Sequence, residues 1–246
     1  MADHAVRLDL VAAVTAAQMR EVDRFMVDDL GISLLQMMEN AARALAELTR
    51  LHCGGVVQRR VVVLAGRGGN GGGGMAAARR LANWGAEVHL VLAHPDAALS
   101  EATAHQLASL RALGVPEHRP AETASILHGA DVVLDALLGY GLEGPPREPE
   151  AGLIRIANSH AVPVIALDLP SGLDPDRGVP NDPTVRAART LTLALPKVGL
   201  LRREAAILVG ELWLADISVP ALAYARLGID PGRLFAESDL IRITRS

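Results

Sequence analysis

Residues 66–74 read Gly-Arg-Gly-Gly-Asn-Gly-Gly-Gly-Gly and directly follow the apolar run Val61–Ala65. A buried strand empties here into a segment almost without side chains, and a helix is expected from Met75 to Trp84. Bare backbone N–H groups can approach a phosphate, and a helix N-terminus adds a partial positive charge, so the three parts together make an anion site. Two further apolar runs end in polar segments. One is Asp135-Ala-Leu-Leu-Gly139-Tyr-Gly141-Leu-Glu-Gly144-Pro-Pro, and the other is Asp168-Leu-Pro-Ser171-Gly172-Leu-Asp174. Asp135 or Asp168 alone would serve as well as a cap or turn residue. Two carboxylates, one hydroxyl and two glycine-rich segments at strand ends point jointly to a site for a phosphate-bearing small molecule.

Gly66, Gly68 and Gly71 also satisfy G-x-G-x-x-G. A dinucleotide fingerprint requires in addition an acid about 20 residues on, at the end of the second strand, to hold the ribose. Glu87 has that spacing but opens its strand, and the strand's end offers only the turn-like His94-Pro95-Asp96. Tight strand–helix packing explains the glycines equally well at this point.

The elements that must position these residues follow from periodicity. Ala16–Leu30 reads as a helix stopped by Gly31. Ser33 reads as the N-cap of a second helix running to about His52, with Leu34, Met38, Ala41, Leu45 and Leu48 on one stripe. Strands are expected at Val61–Ala65, Val88–Ala93, Asp131–Ala136, Pro163–Asp168, Thr190–Leu195 and Glu211–Ile217. Helices are expected at Met75–Trp84, Glu101–Leu113 and Gly152–His160. Short, nearly continuous apolar strands alternating with helices predict an α/β fold. It is a three-layer, Rossmann-like, mostly parallel sheet with helices on both faces, preceded by the two N-terminal helices. Ligands of such sheets gather beyond the carboxyl ends of the strands.

Composition narrows the function classes. At 246 residues the chain suits one domain, 1–246, with a sizeable core. A net charge of −4 and 2% aromatic residues argue against nucleic-acid binding. Cys53 is the only cysteine, which excludes an intrachain disulfide and a cysteine-based metal cluster. His4, His52, His89, His94, His105, His118, His128 and His160 show no metal-ligand spacing, and Arg59-Arg60 and Arg202-Arg203 read as solvated surface. The acidic N-terminus does not look like a secretion signal, and no apolar run approaches the roughly 18 residues of a membrane span. A cytoplasmic protein is expected, without nucleic-acid or membrane partners.

At the site segments the chain resembles the NAD(P)H-hydrate epimerase family, the N-terminal domain type of the bifunctional nicotinamide nucleotide repair enzymes. Met38-Glu39-Asn40-Ala41 is similar to the family's Met-Glu-Asn-Ala helix. Val62–Leu81 resembles its strand, Asn-Asn-Gly-Gly-Asp-Gly loop and following helix. Asp135–Gly141 resembles Asp-Ala-Leu-Phe-Gly-Thr-Gly, and Asp168-Leu-Pro-Ser171-Gly172 resembles Asp-Ile-Pro-Ser-Gly. Leu195-Pro196-Lys197-Val198-Gly199-Leu200 and Val209-Gly210-Glu211 continue the match in order.

The resemblance implies interconversion of the 6R and 6S forms of hydrated NADH or NADPH, after which a dehydratase restores the cofactor. No dehydratase domain is recognised here, so a separate dehydratase is the implied functional partner. Substrate contacts would come from Gly69, Asn70, Gly71, Gly72 and Gly73, from Gly139, Tyr140, Gly141, Leu142, Glu143, Gly144 and Pro145, and from Asp168. Asp168 would be the catalytic proton-transfer residue. A potassium ion (K+) would be held near Asn70, Asp135 and Ser171, whose oxygens suit a hard cation. A homodimer, formed through the N-terminal helices, is also implied.

Three departures from the family fall on the pocket. Gly69 replaces an Asn, Gly73 replaces an Asp, and Tyr140 replaces a Thr. Four successive glycines, Gly71–Gly74, raise the entropy lost on ordering a loop. A working epimerase with a trimmed loop accommodates these changes. So does an enzyme recruited to another substrate in specialised metabolism, and so does a non-catalytic binding domain. Joint retention of Asn70, Asp135, Asp168 and Ser171 speaks against the last.

Overall fold

The structure, a computed structural model, describes residues 5–245. The readings of His4 and of the first four residues lie outside it. Nine strands form one sheet: β1 Ala5–Arg7, β2 Arg60–Ala65, β3 Glu87–Leu92, β4 Glu117–His118, β5 Val132–Ala136, β6 Val164–Leu167, β7 Arg189–Leu193, β8 Glu211–Ala215 and β9 Leu240–Thr244. The helices are α1 Ala16–Arg24, α2 Leu34–Cys53, α3 Gly69–Asn83, α4 Glu101–Ala112, α5 Thr123–Leu127, α6 Glu150–Ser159, α7 Ala206–Val209 and α8 Ala221–Ala225.

Strand order is β1-β9-β8-β7-β6-β5-β2-β3-β4, parallel throughout except that β9 runs antiparallel to β8. The chain winds from β2 outward through β3 and β4, then returns to the other side of β2 as β5. The carboxyl ends of β2 and β5 therefore flank the switch in winding direction, where open α/β sheets bind ligands.

Alternate residues of the central strands feed two cores. Val61, Val63, Ala65, Leu134 and Ile165 face Leu45, Met75, Leu81 and Leu107 from α2, α3 and α4. Val62, Leu64, Val133, Val164 and Ala166 face Leu127, Leu153, Ile154 and Ala157 from α5 and α6. This period-2 division explains why the strands read as unbroken apolar runs. The three-layer expectation is met. Helix α2, however, belongs to a covering layer, and the three-residue strand β1 precedes both N-terminal helices.

Local signals set the two entry helices. Thr15 and Ser33 each cap a helix reciprocally with the glutamine three residues on, Gln18 and Gln36. The first expected helix is shorter than its periodicity suggests: α1 ends at Arg24, and Phe25–Asp29 form a wider π-turn. Met19, Val22 and Met26 of this segment pack with Met37, Ala41, Leu195 and Ile217. Helix α1 therefore lies across the carboxyl edge of the sheet and walls the crevice.

The largest difference from expectation is at the glycines. Gly69–Asn83 is helix, so the segment read as a loop is the first two turns of α3. Close approach is the physical reason for several glycines. A Cβ on Gly71 would lie 1.9 Å from the Gly66 carbonyl oxygen, and one on Gly74 would lie 2.4 Å from Ala136 Cβ. Helix α3 starts pressed against β2 and β5, which no side chain at these positions would allow.

Candidate functional site

A cavity of about 1070 Å³ opens at the β2/β5 switch. Its floor is made of strand ends: Gly68, Gly69 and Asn70 after β2, Leu137–Gly141 after β5, Asp168 after β6, and Leu193 and Lys197 at and after β7. Its wall is α1 and the start of α2, with Met19, Asp23, Met37, Met38 and Ala41. Of the predicted substrate residues, Gly69, Asn70, Gly73, Gly139, Tyr140, Gly141, Leu142, Glu143, Pro145 and Asp168 line this cavity. Gly71, Gly72 and Gly144 do not. Gly71 and Gly72 are turned into the packing of α3 against Gly66 and Met38.

The anion-binding expectation takes a different form here. The first intrahelical bond of α3 runs from Gly72 N–H to Gly68 O. The N–H groups of Gly69, Asn70 and Gly71 precede it and have no partner within the helix. They stand at the positive end of a 15-residue helix dipole beside the cavity.

Asp168 is held at the floor in an unusual backbone state. Its φ is +68°, and Leu169 N–H donates to Leu167 O at 2.9 Å, closing a γ-turn centred on Asp168. Such turns are rare and strained, although Asp tolerates positive φ better than most residues. Strained backbone of this kind collects at functional sites. Two donors fix the carboxylate. Lys197 Nζ donates to Oδ1, and Tyr140 N–H donates to Oδ2 at 2.9 Å. Gly139 is needed beside them, because a Cβ there would come within 3.0 Å of Asp168 Oδ2.

Lys197 and Asp23 are site residues that sequence reasoning passed over. Lys197 is buried, donates also to Leu193 O at 3.1 Å, and lies 5.4 Å from the centre of the Tyr140 ring. That distance is within cation–π range. The signal was a lysine in the otherwise apolar exit Leu195-Pro-Lys-Val-Gly. Asp23 accepts a short hydrogen bond from the Tyr140 hydroxyl. Its signal was an acid beside the buried Met19, Val22 and Met26 of an amphipathic helix. Burial pushes the Asp23 carboxyl above the usual range, against the lowering effect of Tyr140 and Lys197. Burial also raises the Tyr140 phenol, and the neighbouring Asp23 raises it further.

The predicted cation ligands divide between wall and interior. Asn70 lines the cavity, and its Nδ2 donates to Leu167 O at 3.2 Å. Asp135 and Ser171 lie beneath it, fully buried. Ser171 N–H donates to Asp135 Oδ2 at 2.8 Å. Ser171 Oγ donates to Oδ1 at 2.6 Å, and Leu137 N–H reaches Oδ1 at 3.3 Å. All these partners are neutral. Burial therefore dominates and pushes the Asp135 carboxyl up to about 6. Among the described residues no group of three or more His, Cys, Asp or Glu is arranged to hold a metal. Any ion here would depend on Asn, Ser and backbone oxygens as well as Asp135. A buried carboxylate with only neutral partners, in a set of hard oxygens, does fit a monovalent cation.

Comparison with known proteins decides the family. The family model described as YjeF-related protein N-terminus matches residues 34–199. The chain belongs to this family. A protein of Dehalogenimonas lykanthroporepellens named NAD(P)H-hydrate epimerase is 47% identical over 240 residues, covering 96% of this chain and 94% of the relative. A Salinibacter ruber protein named bifunctional NAD(P)H-hydrate repair enzyme Nnr is 37% identical over 232 residues, covering 89% of this chain. The chain spans only 43% of that relative's length. The crystal structure of the yeast protein YNL200c superposes with a TM-score of 0.81 at 22% identity, over 95% of this chain and 100% of the yeast chain. The YjeF-related N-terminal fold thus accounts for nearly all of the molecule. No helix among the described residues is long and apolar enough to cross a membrane.

Proposed function

We propose that this YjeF-related N-terminal domain is an NAD(P)H-hydrate epimerase, interconverting the 6R and 6S hydrates with Asp168 as the proton-transfer residue. The observation that carries this reading is the Asp168–Lys197 pair on the floor of a cavity that also holds the free N–H groups of α3. The α3 N-terminus and the Gly139–Pro145 segment take the phosphates. The reacting ring then lies over Asp168.

The pair holds one mobile proton between an amine and a carboxylate oxygen. Passed through Asp168 to the C6 hydroxyl, this proton lets the C–O bond break and water depart, while the ring nitrogen's lone pair forms the C6–N double bond. Lys197 is then neutral, and the positive charge on the ring faces the Asp168 carboxylate. Water adds to the planar carbon from either face, and its proton returns to the pair. A positioned acid–base group of this kind contributes on the order of 10²–10⁴-fold. Asn70, Asp135 and Ser171 would hold a potassium ion. When bound, it would supply positive charge against Asp135 and tie three strand ends together.

A separate dehydratase is the functional partner in this reading, by analogy with the longer relatives named as bifunctional repair enzymes. A cytoplasmic homodimer packed through the N-terminal helices completes the proposal. The deciding experiment is epimerisation of a mixed hydrate pool, coupled to a dehydratase that consumes only the 6S form. The 6R form should disappear faster than it isomerises spontaneously. No acceleration at micromolar enzyme would transfer the site to another substrate.

A further inference from the structure

Tyr140 touches two carboxylates with its two ends. Its backbone N–H donates to Asp168 Oδ2 at 2.9 Å, and its hydroxyl donates to Asp23 Oδ2. The two acids are therefore bridged by one tyrosine, from its backbone N–H to its ring hydroxyl. Asp168 carries the buried Lys197 as its counter-charge. Asp23 carries none. It forms no ion pair with another described residue, its Oδ1 accepts no hydrogen bond from one, and it lines a cavity whose wall is the apolar Met19, Met37 and Ala41 and whose lining also includes the charged Arg24, Arg67 and Arg147. A largely buried acceptor without a donor is costly to desolvate unless one arrives to meet it. Tyr140 spends its hydroxyl proton on Oδ2, which leaves Oδ1 of the carboxylate as the acceptor for a further donor.

The hydrate of a reduced nicotinamide ring likewise carries a polar group at each of two opposite ends, and Asp168 and Asp23 line one cavity. The hydroxyl on C6 and the carboxamide on C3 lie para to each other across a six-membered ring. The hydroxyl is the group that Asp168 must reach, and the carboxamide NH2 is a neutral donor at the opposite end. Resting on the epimerase reading above, we propose that Asp23, oriented by Tyr140, is the carboxamide-recognition residue of the site and sets which ring is accepted. Its chemistry favours a primary amide and rejects a carboxylate at the same position, which would face Asp23 as a like charge. The hydroxyl-to-acid contact also fastens α1 to the segment after β5, so amide recognition and the position of the wall depend on the same carboxylate.

The experiment compares two substrates on three proteins. The substrates are the hydrates of the reduced dinucleotide with a carboxamide and with a carboxylate on the ring. In the parent protein, kcat/KM should favour the amide by about 10²-fold or more. Asp23→Asn keeps the shape and can donate to a carboxylate, so the preference should fall to within about tenfold, chiefly by a gain on the carboxylate substrate. Tyr140→Phe retains the N–H on Asp168 and loses only the hydroxyl. It should raise KM for the amide several-fold, by a larger factor than it lowers kcat. A merely structural Asp23 would lower turnover of both substrates equally and leave the preference where it was, and that result would overturn the assignment. So would a parent that does not discriminate. A parent that epimerises neither hydrate removes the function itself, and this assignment with it.

Discussion

Lys197 Nζ lies 2.5 Å from Asp168 Oδ1, and the two side chains are only 1% and 5% exposed. A pair this deep is worth little as a stabiliser compared with apolar residues of the same volume, but breaking it strands a charge. Its position at the floor of the cavity gives it a chemical reason to exist.

Removing either partner separates the two roles. Lys197→Met leaves the Asp168 carboxylate without its cation and should cost about 3–5 kcal/mol of stability by urea unfolding. Asp168→Asn keeps the size and the tolerance for positive φ, so the fold should survive while epimerisation falls by about 10²-fold or more. The double variant should be more stable than Lys197→Met alone, because no charge is then stranded. If Lys197→Met unfolds at the parent's urea concentration, the pair is not energetically coupled and Asp168 must hold its charge another way.

Asp135 sets a pH dependence of definite sign. Burial raises its carboxyl from 3.8 to about 6. Between these values the folded state keeps a proton that the unfolded state has lost. Stability contributed by this group is therefore complete below about pH 4 and declines as pH rises to about 6, at up to roughly 1.4 kcal/mol per unit. Asp135→Asn should abolish that decline, at the expense of setting an amide N–H against the donors of Ser171 or Leu137. A bound potassium ion should oppose the same decline. The difference in melting temperature between potassium and tetramethylammonium salts at equal ionic strength should be small at pH 4.5 and open above pH 6. Equal melting curves in both salts at pH 7.5 would remove the ion from the site.

The fold was legible because strands buried on both faces cannot hide in a sequence. The six expected strands are β2, β3, β5, β6, β7 and β8, within one or two residues at most ends. Three strands escaped for identifiable reasons. β1 has three residues and β4 two, too short for a period to register, and β9 pairs from the far end of the chain. The start of α3 does not read as helix because glycine's low helix propensity speaks for a loop, whereas packing against Gly66 and Ala136 decides the matter. The site was legible wherever a polar residue ended a strand, as at Asp135 and Asp168. Lys197 and Asp23 were harder. Each reaches the cavity through tertiary packing, one from a 3₁₀ approach after β7 and the other from a helix 117 residues before its partner Tyr140, and no local pattern links them.

The helical state of the glycine segment gives a graded test of how the chain departs from its relatives. Gly69 stands at the first position of α3 with a methionine carbon 3.8 Å from a would-be Cβ, and its φ is not positive. Gly69→Asn should therefore fold as well as the parent and add a polar group at the cavity mouth. Gly73 is tighter, since a Cβ would meet Leu167 Cδ2 at 3.0 Å. Gly73→Asp requires that side chain to give by a few tenths of an ångström, and should cost about 1 kcal/mol against a helix-propensity gain of a few tenths. Gly71→Ala has no such freedom, because its Cβ would lie 1.9 Å from a backbone oxygen. That change should shift α3 away from β2, lower the melting temperature by several degrees or more, and weaken hydrate binding by moving the free N–H groups of Gly69 and Asn70. The ranking Gly69→Asn, then Gly73→Asp, then Gly71→Ala, from mildest to most damaging, is checked by thermal melts alongside KM for the hydrate. A Gly71→Ala protein as stable as the parent would mean that α3 does not start where the packing puts it, and the segment would again have to be treated as a loop.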